Sequence, residues 1–325
     1  MSGAPGPRVL VVIVNFNGGD WLVRAIGGLE RQTFRDFRTV VVDNASSDGS
    51  LEAMLARFPS VEAIRSPTNL GFASANNLAV ARNADSEWIA LLNPDAEPEP
   101  GWLEALLAAA SRHTDCGSFA SRTLDAAFPS MLDGAGDAYH ASGRYWRIGV
   151  GCPAAGSYLE GREVFSACAA AALYSRAAWD AVGGFDEDYF CYGEDVDLGF
   201  RMRLAGFACR YVPEAVALHA GSALTGKRSD FATYYGQRNL PWTFIKDMPG
   251  ALFWLLVPLH ITLNVAAVIA LAMQGRGKVA LRAKHDALRG VPTAWRKRRT
   301  VQRSRRAGLR SLVRSFLWAR PFNRC

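Results

Sequence analysis

Residues 91–100 read Leu-Leu-Asn-Pro-Asp-Ala-Glu-Pro-Glu-Pro and close an apolar run that begins at Trp88. Four to eight apolar residues bounded by turn signals read as a buried strand, and Pro94 cannot continue a central one. The strand therefore delivers an amide, Asn93, and a carboxylate, Asp95, to a sharply turned edge. A polar surface turn is the plain reading of such a stretch. The sharper reading is a place where a cation is held against a phosphate.

The same pattern recurs upstream. Residues 8–14 and 38–42 are rich in Val, Ile and Leu, and 61–64 and 88–92 supply two more short strands. Helical spacing separates them at 20–32 (Trp21, Ala25, Ile26, Leu29), 50–58 and 74–82, and follows at 101–111. This alternation predicts an α/β fold with a mostly parallel sheet covered by helices on both faces. In such sheets ligands bind outside the carboxyl ends of the strands.

The residues at those ends share a character. The first strand ends in Val14-Asn15-Phe16-Asn17-Gly18-Gly19 and the second in Asp43-Asn44-Ala45-Ser46-Ser47-Asp48-Gly49-Ser50. The third connection carries Asn69-Leu70-Gly71-Phe72-Ala73-Ser74-Ala75-Asn76-Asn77, and the fourth strand ends in Asn93-Pro94-Asp95. Any one of these is ordinary turn chemistry. Four on one edge would offer amides and carboxylates to a base and ribose, and small residues for close backbone approach to phosphates. No G-x-G-x-x-G follows the first strand and no P-loop motif occurs, so dinucleotide and P-loop readings are weak. A hard divalent ion, Mg²⁺ or Mn²⁺, would instead bridge Asp95 to substrate phosphates.

A second concentration of chemistry is "GGFDEDYFCYGEDVDLGFRMRLAGF" at 183–207, with six acids between Asp186 and Asp197. An acidic helix N-terminus accounts for some of them, since the helix dipole stabilises carboxylates there, and Asp197 and Arg201 form an i,i+4 pair. It does not account for Glu194 and Asp195 among Tyr192, Phe190 and Phe200. A carboxylate near aromatic rings and other acids gains proton affinity, which suits a general base. His219, in an apolar stretch, reads by itself as a packed core histidine.

These segments resemble the inverting glycosyltransferases of family 2 with the GT-A fold, in the rhamnosyltransferase-like branch. The resemblance runs from about residue 8 to 242 and rests on "VVIVNFNGGDWL", "VVVDNASSDGS", "NLGFASANN", "LLNPD", the 183–207 segment and "YYGQRNLPW". It implies a catalytic domain over 1–245, with a nucleotide-binding half at 1–112 and an acceptor-side half at 113–245. It implies that Asn15, Asn17, Asp43, Asn44, Asn76, Asn93, Asp95 and Arg238 meet a nucleotide-sugar donor of the dTDP-rhamnose or UDP-sugar kind. Asp95 would hold the divalent metal with His219 as a further ligand, Asp195 would be the base, and Glu194 and Tyr192 would lie on the acceptor side. One position departs from the family pattern: Asn93 stands where the first acid of the metal-binding D-x-D is expected.

The rest of the chain differs in character. Of the 37 Lys/Arg, 16 lie in 275–325 against one acid, Asp286, giving that segment +15; the other 274 residues hold 21 bases and 29 acids, giving −8. Residues 251–273 carry no formal charge, but Pro258, His260 and Asn264 make them a poor simple span. A donor in the cytosol, together with the positive-inside rule, argues for a re-entrant or interfacial segment over 246–274 rather than a crossing. Residues 306–318 predict a basic amphipathic helix for an anionic membrane surface. This places the protein on the cytoplasmic face of the plasma membrane, with a saccharide, most simply polyprenyl-diphosphate-linked, as acceptor. Nucleic acid fits the basic tail less well, because no reader fold accompanies it. A nucleotidyltransferase and an inactive adaptor are the competing readings. The six scattered cysteines, without C-x-x-C, are expected to be mostly reduced and buried.

Overall fold

The computed structural model describes residues 6–221 and 229–318. The first part alternates through β1 (Val9–Asn15), α1 (Gly19–Glu30), β2 (Phe37–Asp43), α2 (Ser50–Arg57), β3 (Glu62–Arg65), α3 (Gly71–Arg82), β4 (Trp88–Leu92), β5 (Ala96–Pro98) and α4 (Trp102–Arg112). There follow β6 (Cys116–Asp125), β7 (Leu132–Gly134), β8 (Asp137–Tyr139), β9 (Tyr145–Arg147), β10 (Arg162–Glu163), β11 (Ala171–Ser175), α5 (Arg176–Val182), α6 (Glu194–Ala205) and β12 (Ala208–His219). The chain ends in α7 (Asp230–Asp247), α8 (Gly250–Met273), α9 (Gly277–Arg303) and α10 (Leu309–Ser315).

The main sheet runs β10-β12-β6-β11-β4-β1-β2-β3. β1 is parallel to β2 and β4, and β2 to β3, as the alternation predicts. β11 enters antiparallel between β4 and β6, so the sheet is mixed. All seven residues of β1 are buried, because helices cover both faces of the sheet. Val9, Val11 and Ile13 pack under α1 and α4, while Leu10, Val12 and Val14 pack against α3 and Tyr174. The register sets Asn15 beside Asp43 at the carboxyl edge.

A third core forms around Tyr139, Phe165, Phe200 and Phe316, with ring centroids 4.7–5.9 Å apart. Each such pair contributes about 0.5–1.5 kcal/mol beyond area burial. This core corrects the reading of 306–318. The helix there is only α10, and Leu312 and Phe316 are buried against the domain rather than offered to lipid. An apolar stripe flanked by arginines fits a protein groove as well as a bilayer, and here the aromatic groove takes it. Leu309 and Leu317 stay exposed.

α7 and α9 run side by side in the same direction. Arg276 donates to the Ser229 carbonyl, Lys284 to Gln237, and Arg298 to Ile245 and Met248. α8 runs back between their ends. His260 stacks on Phe244 at 4.0 Å and its Nδ1 lies 2.7 Å from the Ser142 carbonyl, while Lys284 reaches Asn264 at 2.5 Å. The middle of α8 is thus tied to Ser142, α7 and α9, and α8 does not carry the chain away from them. Its mean hydropathy is 2.2, yet only 11% of that apolar window is buried.

Of the cysteines, Cys116, Cys168, Cys191 and Cys209 are free, whereas Cys152 is disulfide-bonded.

Candidate active site

The site is built from the carboxyl ends of β1, β2 and β4, stitched together by polar side chains. Asn15 Nδ2 donates to Asp43 Oδ1 (3.0 Å) and lies within 3.0 Å of the hydroxyls of Ser46 and Ser50. Its Oδ1 is left as a buried acceptor without a partner. Asn17, at φ +53°, accepts from the Ser47 amide, and the Gly19 amide donates to Asp48. Asn44 donates to Asn69 and Gly71 and accepts from the Leu70 amide, tying in the third loop. Asn76 is buried in α3 and donates to the Phe72 carbonyl one turn back.

That third loop touches the acidic segment. Gly71, at φ +81°, lies where a Cβ would come within 2.5 Å of Phe190, and the Phe72 amide donates to the Phe190 carbonyl at 2.6 Å. Asn77 holds the other side, accepting from the Phe185 amide and donating to the Phe185 carbonyl and Glu187. Phe190 and Tyr192 adopt φ of +63° and +67°, each costing on the order of 1–3 kcal/mol unless surrounding structure enforces it. α7 enforces it. Asn239 Nδ2 lies 2.7–3.0 Å from the carbonyls of Tyr189, Cys191 and Tyr192, and Arg238 donates to those of Asp188 and Tyr189. These bonds set Arg238 beside the acidic loop. Asn239 was missed altogether; its place beside Arg238 in "GQRN" was the only signal.

At the end of β4, the Asn93 amide donates to the Ala170 carbonyl. Asp95 Oδ1 lies 3.3 Å from His219 Nε2, and Asn93 Nδ2 lies 3.5 Å from the same nitrogen. His219 reaches them because β12 pairs with β5, setting His219 opposite Ala96. Its Nδ1 is 2.8 Å from Asp133 Oδ2, and Asp133 is paired with Arg147 at 2.5 Å. Burial alone would lower the His219 pKa; its bonds to Asp133 and Asp95 override that and raise it to about 9. A histidine fixed through Nδ1 by a carboxylate, with Nε2 turned to a second carboxylate, is the usual dress of a metal ligand. Among the described residues no three His, Cys, Asp or Glu side chains cluster for a metal. Two protein ligands still suit an ion that takes its other oxygens from water and substrate phosphates.

Asp195 lies across the same loop. Its Oδ2 accepts from the Ala169 amide at 3.3 Å, one residue from the Ala170 carbonyl that holds Asn93, and its Oδ1 accepts from Val196. Asn93, two residues before Asp95, and Asp195 are therefore bonded to adjacent residues, Ala170 and Ala169. Burial raises the Asp195 pKa, opposed by backbone amides and Arg147. Buried Glu194 and Asp137 are raised well above the ordinary range, by burial and then by Asp195. Two neighbours kept protonated leave Asp195 the carboxylate better able to ionise. Glu194 points inward, with Oε2 unpartnered. Asp133, Asp137 and Arg147 escaped the sequence reading because the glycine-rich stretch around them has no periodicity. A cavity of about 260 Å³ is lined by other residues, among them Asp186, which pairs with both Lys246 and Lys297.

A mostly parallel mixed sheet flanked by helices, with polar side chains at the carboxyl ends of its strands, is the architecture of the GT-A fold. The glycosyl transferase family 2 model matches residues 10–182, and the related family group 2 model matches 157–283. The chain belongs to glycosyltransferase family 2, in its rhamnosyltransferase-like branch. It is 31% identical over 280 residues to N-acetylglucosaminyl-diphospho-decaprenol L-rhamnosyltransferase of Mycobacterium tuberculosis, covering 78% of this chain and 88% of that one. It is 27% identical over 235 residues to the rhamnosyltransferase WbbL of Escherichia coli, covering 65% and 83%. In fold it is similar to the mannosyltransferase PcManGT of Pyrobaculum calidifontis, solved with GDP-Man and Mn²⁺, at a TM-score of 0.52 and 16% identity over 97% of this chain and 89% of that one. It is also similar to GalNAc-T7, solved with UDP, GalNAc and Mn²⁺, at 0.58 and 16% over 74% of this chain and 48% of that one.

Proposed function

We propose that this glycosyltransferase moves a sugar, rhamnose in the simplest case, from a dTDP- or UDP-sugar to a polyprenyl-diphosphate-linked saccharide, inverting the anomeric carbon. The observation that carries the reading is that the strand end bearing the Asp95–His219 pair, through the Asn93 amide, and Asp195 are bonded to the neighbouring residues Ala170 and Ala169. The names of the Mycobacterium and Escherichia relatives support the donor and acceptor classes.

In this reading the loops after β1 and β2 cradle the nucleotide, and Asp43 and Asn15 sit at their base. Asp95 and His219 hold the divalent ion, with Asp133 and Asn93 behind them. When bound, the ion supplies positive charge against the leaving diphosphate. Asp195 takes the proton from the acceptor hydroxyl, whose oxygen attacks the anomeric carbon opposite the departing diphosphate. A bond to the acceptor oxygen forms as the bond to the diphosphate breaks. Glu194 and Asp137, protonated, keep the pocket from accumulating three negative charges.

The exposed apolar side of α8 (Trp254, Leu255, Ile261, Val265, Ile269) and Leu281, Leu288 and Trp295 of α9 form a surface that docks on the cytoplasmic leaflet. Arg289, Arg296 and Arg299 on α9 are exposed and complement anionic headgroups. The test is a donor panel with purified enzyme, Mg²⁺ or Mn²⁺, and N-acetylglucosaminyl-diphospho-polyprenol. Nucleoside diphosphate release that requires the acceptor, and a product of inverted anomeric configuration, are expected. A product that retains configuration defeats the mechanism.

A further inference from the structure

Among the cations on α7 and α9 with no carboxylate within 4 Å among the described residues are three close together, Arg238, Arg282 and Lys284. The guanidinium of Arg238 lies 4.7 Å from the ring centre of Tyr235, 4.6 Å from that of Trp242 and 5.8 Å from that of Tyr234. The guanidinium of Arg282 approaches the same Tyr234 ring at 5.3 Å. Two positive charges thus converge on one tyrosine from two helices. Lys284, two residues on, bonds only to the Gln237 carbonyl and Asn264 of α8, and burial lowers its pKa to about 8. The one acid nearby, Asp286, accepts from the Tyr234 hydroxyl at 2.7 Å, pairs with His285 and Arg289, and shares its charge with Arg282.

One acid shared among Arg282, His285 and Arg289 leaves positive charge in excess here, and planar guanidiniums suit phosphate oxygens. What lies on either side narrows the ligand. Toward the active site, Tyr235 stacks on Phe190 at 5.1 Å and packs on Phe231, and Phe231 meets Tyr192, three residues before Asp195. On the other side, Asn264 belongs to α8, whose outward face is apolar. A ligand spanning these features carries, in order, a sugar, a phosphate group and a hydrocarbon chain.

We propose that Arg238 and Arg282, with Lys284 behind them, form the site for the diphosphate of an isoprenoid-linked acceptor, separate from the donor diphosphate beside Asp95. The hydrocarbon chain then lies along α8, and the aromatic rings of Phe190, Tyr192, Phe231 and Tyr235 receive the acceptor sugar. This rests on the lipid-linked reading of the function.

Farnesyl diphosphate, farnesol and inorganic pyrophosphate serve as probes, measured by calorimetry on the full chain in neutral detergent. Farnesyl diphosphate should bind at least about ten-fold tighter than farnesol or pyrophosphate, and Arg282→Glu should weaken it by roughly ten-fold or more. UDP and dTDP affinity should be unchanged in that variant. Arg282 is exposed on α9, so this change spares the fold, whereas Arg238→Ala also releases the acidic loop; Arg282→Lys should restore part of the binding. Wild-type affinity for farnesyl diphosphate in Arg282→Glu overturns the proposal, as does loss of nucleotide binding instead. An equal loss of binding to phosphatidylglycerol vesicles free of isoprenoid also overturns it, because Arg282 would then read headgroups. Failure of the wild type to release nucleoside diphosphate with any lipid-linked acceptor would sink the functional reading, a separate outcome.

Discussion

His219 stands between two carboxylates: its Nδ1 is 2.8 Å from Asp133 and its Nε2 is 3.3 Å from Asp95. The first contact orients the ring and the second sets what that ring faces. Removing an orienting carboxylate behind a metal-bound histidine costs about 10–100-fold in affinity or activity. Asp133→Asn should therefore weaken Mn²⁺ binding by about that factor in the presence of nucleoside diphosphate, followed by electron paramagnetic resonance. Unchanged Mn²⁺ affinity would remove His219 from the ligand set.

Asp195→Asn should lower turnover by about 10²–10⁴-fold while leaving nucleotide affinity within about two-fold of wild type. Acceptor-dependent product formation and calorimetry with UDP or dTDP separate these two effects. Near-normal turnover would place the base elsewhere.

The pH dependence follows from the sign of the shift. Burial raises Asp195, so the base is lost as pH falls through a value above the ordinary aspartate range. Arg147 opposes that rise. Arg147→Met should move the acidic limb of the kcat profile to higher pH, with the alkaline limb unmoved. An acidic limb that stays in place would show that Arg147 does not act on the base.

Stability carries its own contrast. Asp197 is fully buried and bonded to Arg201 at 2.7–2.8 Å and to Lys246, whereas the oxygens of Asp247 have no partner. Burial would raise both groups, but Arg201 and Lys246 hold Asp197 down, while Asp247 goes well up, by burial and then by Asp197. Asp197→Ala should cost about 3–5 kcal/mol, as for any broken buried pair, and Asp247→Asn should cost less than about 1.5 kcal/mol. Because Asp197 and Asp186 are depressed on folding, the stability they add is present above their unfolded pKa near 4 and is lost as pH falls below it. Urea melts of the two variants at neutral and acid pH measure this. Equal costs would mean that Asp247 is ionised.

Leu288→Glu combined with Trp295→Glu should release the protein from anionic vesicles in flotation, with donor hydrolysis intact. Retention on vesicles would turn attention to α8 alone.

The β1–β2–β4 edge was legible in the sequence because β1, β4 and the second half of β2 are buried on both faces, so their apolar runs are continuous and their polar ends abrupt. β1 and β4 carry that pattern without a break, and Asn15, Asp43 and Asp95 fall at the ends it marks. The cluster of Asp133, Asp137 and Arg147 was not, since these residues lie on three-residue strands too short to show a period. Arg147 packs close over Gly134, where a Cβ would fall within 2.3 Å of it, a relation between strands that no single stretch displays. The tail misled for a different reason: amphipathicity states that a face will be covered and not by what. Leu312 and Phe316 found Tyr139 and Phe200.

α9 is tied along α7 by side-chain bonds from Arg276 to Gln302, and α7 in turn clamps the loop that leads into Asp195. With the bilayer seated on α8 and α9, the base stands at a set height above the lipid. The enzyme would then work as a gauge, selecting among glycolipids by how far the reactive hydroxyl rises from the surface, so that adding or removing one sugar unit beneath it should abolish transfer as surely as changing the sugar itself.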